Sequence, residues 1–201
     1  MLVLRSAPTS PFGRKVKIVA ALLDLDTRIE IVHANTSDPD EMLWRQNPLG
    51  KIPVLIDEDG MAIFDSRVIV EYLDGLAGGG HVIPTEFAAR IQVLTLQALA
   101  DGICDAALLQ VYEVRRREPA MRSSAWVASQ AGKVARGLAR LEAHPPESGA
   151  LHVGSVALAC ALGYLDLRFA GAWRPDHPRL VAWLDAFAAA TPAFAATRAH
   201  A

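Results

Sequence analysis

The segment "GLAGGGHVIP", residues 75–84, divides the chain into two stretches of different hydrophobic rhythm. Before it the period of the apolar residues changes repeatedly; after it only helical spacing is left, in a composition dominated by alanine and leucine. The first stretch opens with "LVL" as a short strand, and residues 11–25 then carry Val16, Val19, Ala20 and Leu23 at helical spacing. "RIEIVH" alternates as a half-buried strand, residues 38–45 read as a short helix, "IPVLID" as a strand, "EDG" as a turn and "MAIF" as a hairpin partner. From Arg67 onward, Val68, Ile69, Tyr72, Leu73 and Leu76 form the inward stripe of another helix. That order, βαβ-α-ββα, calls for a mixed four-stranded sheet with helices packed on it. The second stretch holds helical patterns over residues 86–117, 122–143, 155–169 and 178–190, a helical bundle. The fold class is thus α/β followed by all-α: a domain over residues 1–77, a linker over 78–85 and a helical domain over 86–201.

Composition excludes several function classes. A chain of 201 residues that is 52% apolar can bury a substantial core. A formal net charge of -2 gives no reason to expect nucleic acid: Arg14, Lys15 and Lys17 are offset by acids elsewhere, and Arg115 to Arg117 read as the solvated end of a helix. Cys104 and Cys160 each lie inside an apolar helical pattern, as buried reduced thiols of a cytoplasmic protein do. The histidines (His33, His81, His144, His152, His177, His200) show no ligand spacing, so no metal is expected. No apolar run reaches membrane length, and at the N-terminus the apolar residues precede the charges, unlike a secretion signal. Asp101 and Asp105 stand one helical turn apart and read as a polar stripe at a domain or dimer interface, and the four tryptophans as packing residues.

Three segments carry candidate chemistry. In "SAPTSPFGRKV", Ser10 directly precedes a proline suited to the first helical position, so it is the natural N-cap. The same place offers free N–H groups and positive potential to an anion such as a thiolate, and a hydroxyl there would lower a thiol pKa from its free value of about 8.5. Capping alone and thiol activation both stand, with Thr9 as the competing hydroxyl. In "NPLGKIPVL", Pro53 interrupts a strand. A trans bond would merely protect a sheet edge; a cis Ile52–Pro53 bond would turn the Ile52 N–H and C=O outward to accept an extended peptide. In "FDSRVIVEYL", Asp65 or Ser66 caps a second helix, or Ser66 with its neighbouring N–H receives a carboxylate while Asp65 accepts from an ammonium group.

These motifs at these separations, followed by "LACALGYLDLR" and "HPRLVAWLDAF", resemble the cytosolic glutathione S-transferase family, specifically its bacterial members, over nearly the whole chain. The resemblance implies a thioredoxin-like N-terminal domain, an all-helical C-terminal domain, a cis proline and a homodimer. It implies glutathione as cosubstrate, with no metal: Ser10 as the thiol-activating residue, Ile52 with Pro53 as the clamp on the cysteinyl part, and Asp65 with Ser66 as the γ-glutamyl site. Lys51 next to the clamp either helps hold the glycine carboxylate or is a solvated strand end. The activity implied is attack of the activated thiol on a small apolar electrophile held by generic apolar residues of the helical domain, as in detoxification. Tyr112 and Arg115, further along the helix of Asp101, either line such a pocket or have a core or surface role. A glutathione-dependent isomerase or dehalogenase is the neighbouring reading, and a non-catalytic adaptor of the same fold the distant one. The chain departs from the family in having no cysteine in its first domain, which argues against a protein-bound disulfide step, and in lacking the usual Ser/Thr-x-x-Asp box before its buried helix. There the residues run His152, Val153, Gly154, Ser155, leaving Ser155 as a cap.

Overall fold

The computed structural model describes residues 1–38 and 41–199. Its sheet is ordered β2-β1-β3-β4, with β1 (Leu2–Ser6) parallel to β2 (Ile29–His33) and antiparallel to β3 (Val54–Ile56), which pairs antiparallel with β4 (Ala62–Ile63). Parallel neighbours need a crossover, and α1 (Pro11–Leu22) supplies it. α1 buries Val16, Ile18, Val19 and Ala20, and α3 (Ser66–Leu76) buries Ile69, Val70 and Leu73, in one core with Leu2, Leu4 and Leu55. Within the run Arg14, Lys15, Lys17, Arg14 and Lys15 are buried.

The short helix is α2 (Leu43–Gln46), later than its sequence pattern predicts. Glu41 does not open it, because its carboxylate takes the Asn35 N–H at 3.2 Å and the Arg5 guanidinium. Pro39 and Asp40, within the expected helix, lie outside the described residues.

The glycine-rich break is held by one carboxylate. Asp74, buried near the end of α3, accepts from the N–H groups of Gly80, His81 and Val82 at 2.9, 3.0 and 2.8 Å. Beyond it run α4 (Phe87–Arg116), α5 (Ser124–Ala143), α6 (Val153–Phe169), α7 (Pro178–Ala190) and α8 (Pro192–Ala196). α8, which the apolar pattern does not announce, follows Thr191 with Pro192 in its first position.

By length and mean composition α4 could cross a membrane, although Asp101 and Asp105 interrupt its apolar run; here 44% of its most apolar window is buried in the protein, and α5 and α6 pack along it. α6 approaches so closely that a Cβ on Gly154 would stand 2.7 Å from the Val93 carbonyl oxygen. The capping box thought missing at the start of α6 is present in other residues. His152 Nδ1 accepts from the Ser155 N–H at 3.1 Å, and Ser155 Oγ accepts from the His152 N–H at 3.0 Å. An imidazole nitrogen replaces the usual hydroxyl oxygen as acceptor, a substitution that a search for Ser, Thr, Asp or Asn overlooks. Cys104 and Cys160 are buried and free. Trp173 and Trp183 are packing residues, whereas Trp44 and Trp126 are 55% and 46% exposed.

Candidate active site

Strand register gathers the three candidate segments at one end of the sheet. Arg5, near the end of β1, pairs with Val54, the first residue of β3, and Leu55 pairs with Ile63, the last of β4. The loop carrying Thr9 and Ser10, the Lys51 to Pro53 segment and the Asp65–Ser66 step therefore leave the sheet on the same side. α4 borders this end: Lys15 Nζ of α1 donates to both carboxylate oxygens of Asp101 at 2.8 Å. Asp105 feels Lys51, Arg67 and Asp65; burial pushes its carboxyl up, outweighing the pull of Lys51 and Arg67.

Ser10 is the N-cap of α1, its Oγ accepting from the Gly13 N–H at 3.1 Å, with Pro11 in the first position. The cap uses a lone pair and leaves the hydroxyl proton available to a further acceptor. Capping and thiol activation, alternatives in the sequence, are therefore compatible in one side chain. Thr9 and Ser10 both line one cavity.

The Ile52–Pro53 bond is cis. Ile52 precedes the ladder, which begins at Val54, and its backbone N–H and C=O make no hydrogen bond to another described residue. Asn47, which sequence reasoning did not single out, positions this segment: its buried side chain donates to the Lys51 carbonyl at 2.9 Å and accepts from the Leu49 N–H at 3.1 Å. The Asn-Pro step is the signal that could have found it, since asparagine in such a turn bonds the backbone two residues on. Lys51 itself is exposed.

Asp65 is the N-cap of α3, accepting from the Arg67 N–H at 3.0 Å, and it also pairs with the Arg67 guanidinium at 2.9 Å. Burial raises the Asp65 carboxyl, but hydrogen bonds from the Arg67 side chain and backbone outweigh it and hold the pKa below its ordinary value. Ser66 follows at the first helical position, 3% exposed, with a hydroxyl that no described residue engages.

A cavity of about 900 Å³ opens between the start of α1 and the faces of α6, α7 and α8. Thr9 and Ser10 belong to its wall; Lys51, Ile52, Pro53, Asp65 and Ser66 do not. Its lining is not the generic apolar one expected of the helical domain, since Arg14, Arg168, Arg174 and Arg198 contribute. Tyr112 and Arg115 stand outside it: Arg116 lies 4.3 Å over the Tyr112 ring, and Arg115 is exposed.

Residues 4–81 match the family model "Glutathione S-transferase, N-terminal domain" and residues 124–186 the model "Glutathione S-transferase, C-terminal domain". The uncharacterized GST-like protein YibF of Escherichia coli (strain K12) is 35% identical over 178 residues, 86% of this chain and 87% of that protein. The chain belongs to the glutathione S-transferase family. Its mixed sheet and helical bundle are the thioredoxin-like and C-terminal domains of that fold. Two solved glutathione S-transferase family structures cover all of this chain and are covered in full by it, each at 38% identity. One, from Methylobacillus flagellatus with GSH bound, superimposes with a TM-score of 0.92. The other, a glutathione transferase family member from Pseudomonas fluorescens Pf-5 with bound S-(propanoic acid)-glutathione, superimposes with a TM-score of 0.89.

Proposed function

We propose that the chain is a serine-type glutathione transferase that binds glutathione across the end of its sheet and activates the thiol with Ser10. The observation that carries this reading is the Ser10 cap: Gly13 occupies a lone pair of the hydroxyl and leaves its proton to donate to sulfur. The backbone of Ile52, free of the ladder, offers an N–H and a C=O to the cysteinyl part. Ser66, with a hydroxyl that no described residue engages, suits the γ-glutamyl carboxylate; Asp65 suits the ammonium group, and Lys51 the glycine carboxylate. The Ser10 hydroxyl and the positive end of α1 lower the thiol pKa, each unit corresponding to about 1.4 kcal/mol in favour of the thiolate. The fixed position of that sulfur beside the cavity contributes the rest by bringing nucleophile and electrophile together. The bound forms of glutathione in the two neighbouring structures support the reading.

A homodimer in the cytoplasm and a division of domains at residues 77 and 86 belong to the same reading. Val68 on α3 and Phe87 and Ile91 on α4, all exposed apolar side chains, support the dimer.

Titration calorimetry of glutathione into the protein tests the assignment, alongside Asp65→Asn, which keeps a cap but removes the charge, and Ser66→Ala. Binding in the unaltered protein with affinity at least about tenfold lower in each variant is expected. No binding by the unaltered protein would overturn the reading in favour of the adaptor; unchanged affinity in the variants would remove Asp65 and Ser66 from the site.

A further inference from the structure

The cavity beside Ser10 holds more cations than anions: Arg14, Arg168, Arg174 and Arg198 against Asp166 and Asp185. One pair cancels, since Arg174 meets both oxygens of Asp166, at 2.9 and 2.6 Å. Asp185, exposed on α7, acts on Arg174. Among the described residues no carboxylate comes within ion-pair distance of Arg14, Arg168 or Arg198.

Arg14 is the telling member. It is only 8% exposed and rests on Gly163 of α6, where an added Cβ would stand 2.6 Å from its Nη1. Its hydrogen bonds go to neutral acceptors, the Phe194 carbonyl and the Thr197 hydroxyl, and it lies 4.0 Å over the Phe194 ring. A buried charge without a counter-charge is costly. Beside it stand Tyr164, 3% exposed, and Arg168, whose guanidinium lies 5.6 Å over the Tyr164 ring; both residues line the same cavity. Arg14, Arg168 and Arg198 thus give one wall of the cavity more positive than negative charge, and an anion bound there would supply the counter-charge they lack within ion-pair distance.

We propose that this cavity receives a carboxylate on the second substrate, so that the protein selects anionic electrophiles over neutral ones of the same shape. This rests on the glutathione reading above, because Ser10 fixes where the sulfur stands. Arg14 lies in the first turn of α1, which Ser10 caps, and both residues line the cavity.

Calorimetry with three ligands tests this without turnover: glutathione, S-benzylglutathione and S-(4-carboxybenzyl)glutathione. The carboxylated conjugate is expected to bind at least about tenfold tighter than the neutral one, with the advantage shrinking as salt rises. Arg14→Gln should abolish most of that advantage. Because Arg14 is also packed, Arg168→Gln and Arg198→Gln are measured beside it, and each is expected to reduce the advantage. Glutathione binding with no preference between the conjugates would overturn this proposal alone, as would a preference that survives all three substitutions. Failure of all three ligands to bind would overturn the glutathione reading and this proposal with it.

Discussion

Lys15 Nζ lies 2.8 Å from both carboxylate oxygens of Asp101, an ion pair with residues 1% and 7% exposed that ties α1 of the first domain to α4 of the second. Burial pushes the Asp101 carboxyl up against the attraction of Lys15, which marks how little water reaches it. Removing one partner leaves a charge stranded, a loss of about 3–5 kcal/mol, while replacing both with apolar residues of similar volume is far milder. Lys15→Met should therefore lower the denaturant midpoint sharply, and Lys15→Met combined with Asp101→Leu should recover most of it. Equal midpoints for the single and double variants would mean that the two charges do not depend on each other.

Ser10→Ala removes a cap and a hydroxyl proton together. Stability should fall by about 1 kcal/mol, and turnover of a generic electrophile by roughly a hundredfold, with kcat and kcat/KM falling alike and glutathione affinity nearly unchanged. Ser10→Thr, which keeps both functions, should retain most of each. Unchanged turnover in Ser10→Ala would move the role to Thr9 or to the backbone N–H groups at the start of α1.

Three backbone donors converge on Asp74, at Gly80, His81 and Val82. Asp74→Ala leaves them without that acceptor, at a cost of about 2 kcal/mol or more. Amide hydrogen exchange at those residues should accelerate, and limited proteolysis should begin cutting near Gly78 to Gly80. Protection equal to that of the unaltered protein would show that the linker is held by packing of Val82 and Ile83 instead.

The cap of α6 depends on pH. His152 Nδ1 accepts a hydrogen bond only when unprotonated, and burial pushes the ring below its ordinary value of 6.5. The unfolded chain then binds the proton first as pH falls, so the cap's stability is full above about pH 6.5 and is lost as pH drops through the lower folded value. His152→Asn keeps a strong cap that does not titrate. Melting temperatures followed from about pH 8 to about pH 5 should fall further for the unaltered protein than for the variant, and parallel curves would refute the assignment.

The sheet and main helices were legible because each buries one face: the stripes of α1 and α3 and the change of rhythm at the glycine-rich break follow from periodicity alone. Ser10 and Asp65 were legible as caps because cap chemistry is local, and Asn47 was missed although the same rule reaches it. The remainder depended on contacts between distant segments. Nothing within "GRKVK" distinguishes a lysine buried against Asp101 from one in water, since the difference lies 86 residues away. The charged wall of the cavity was hidden likewise, because Arg14 comes from α1 and Arg168 from α6, each in an unremarkable helical setting.

α6 buries residues on every side, from Val153 through Leu162 without a break and again at Tyr164 and Leu165. A helix with a wet face offers evolution a strip on which substitutions are nearly free. α6 offers almost none: Ala157, Ala159 and Ala161 are buried with its large residues, and Gly154 has no room for even a Cβ. Tolerance to mutation along it should form a solid block of constraint rather than a ripple of 3.6 residues. The segment from Val153 to Leu165 would then drift most slowly in this chain, for reasons of space and not of chemistry.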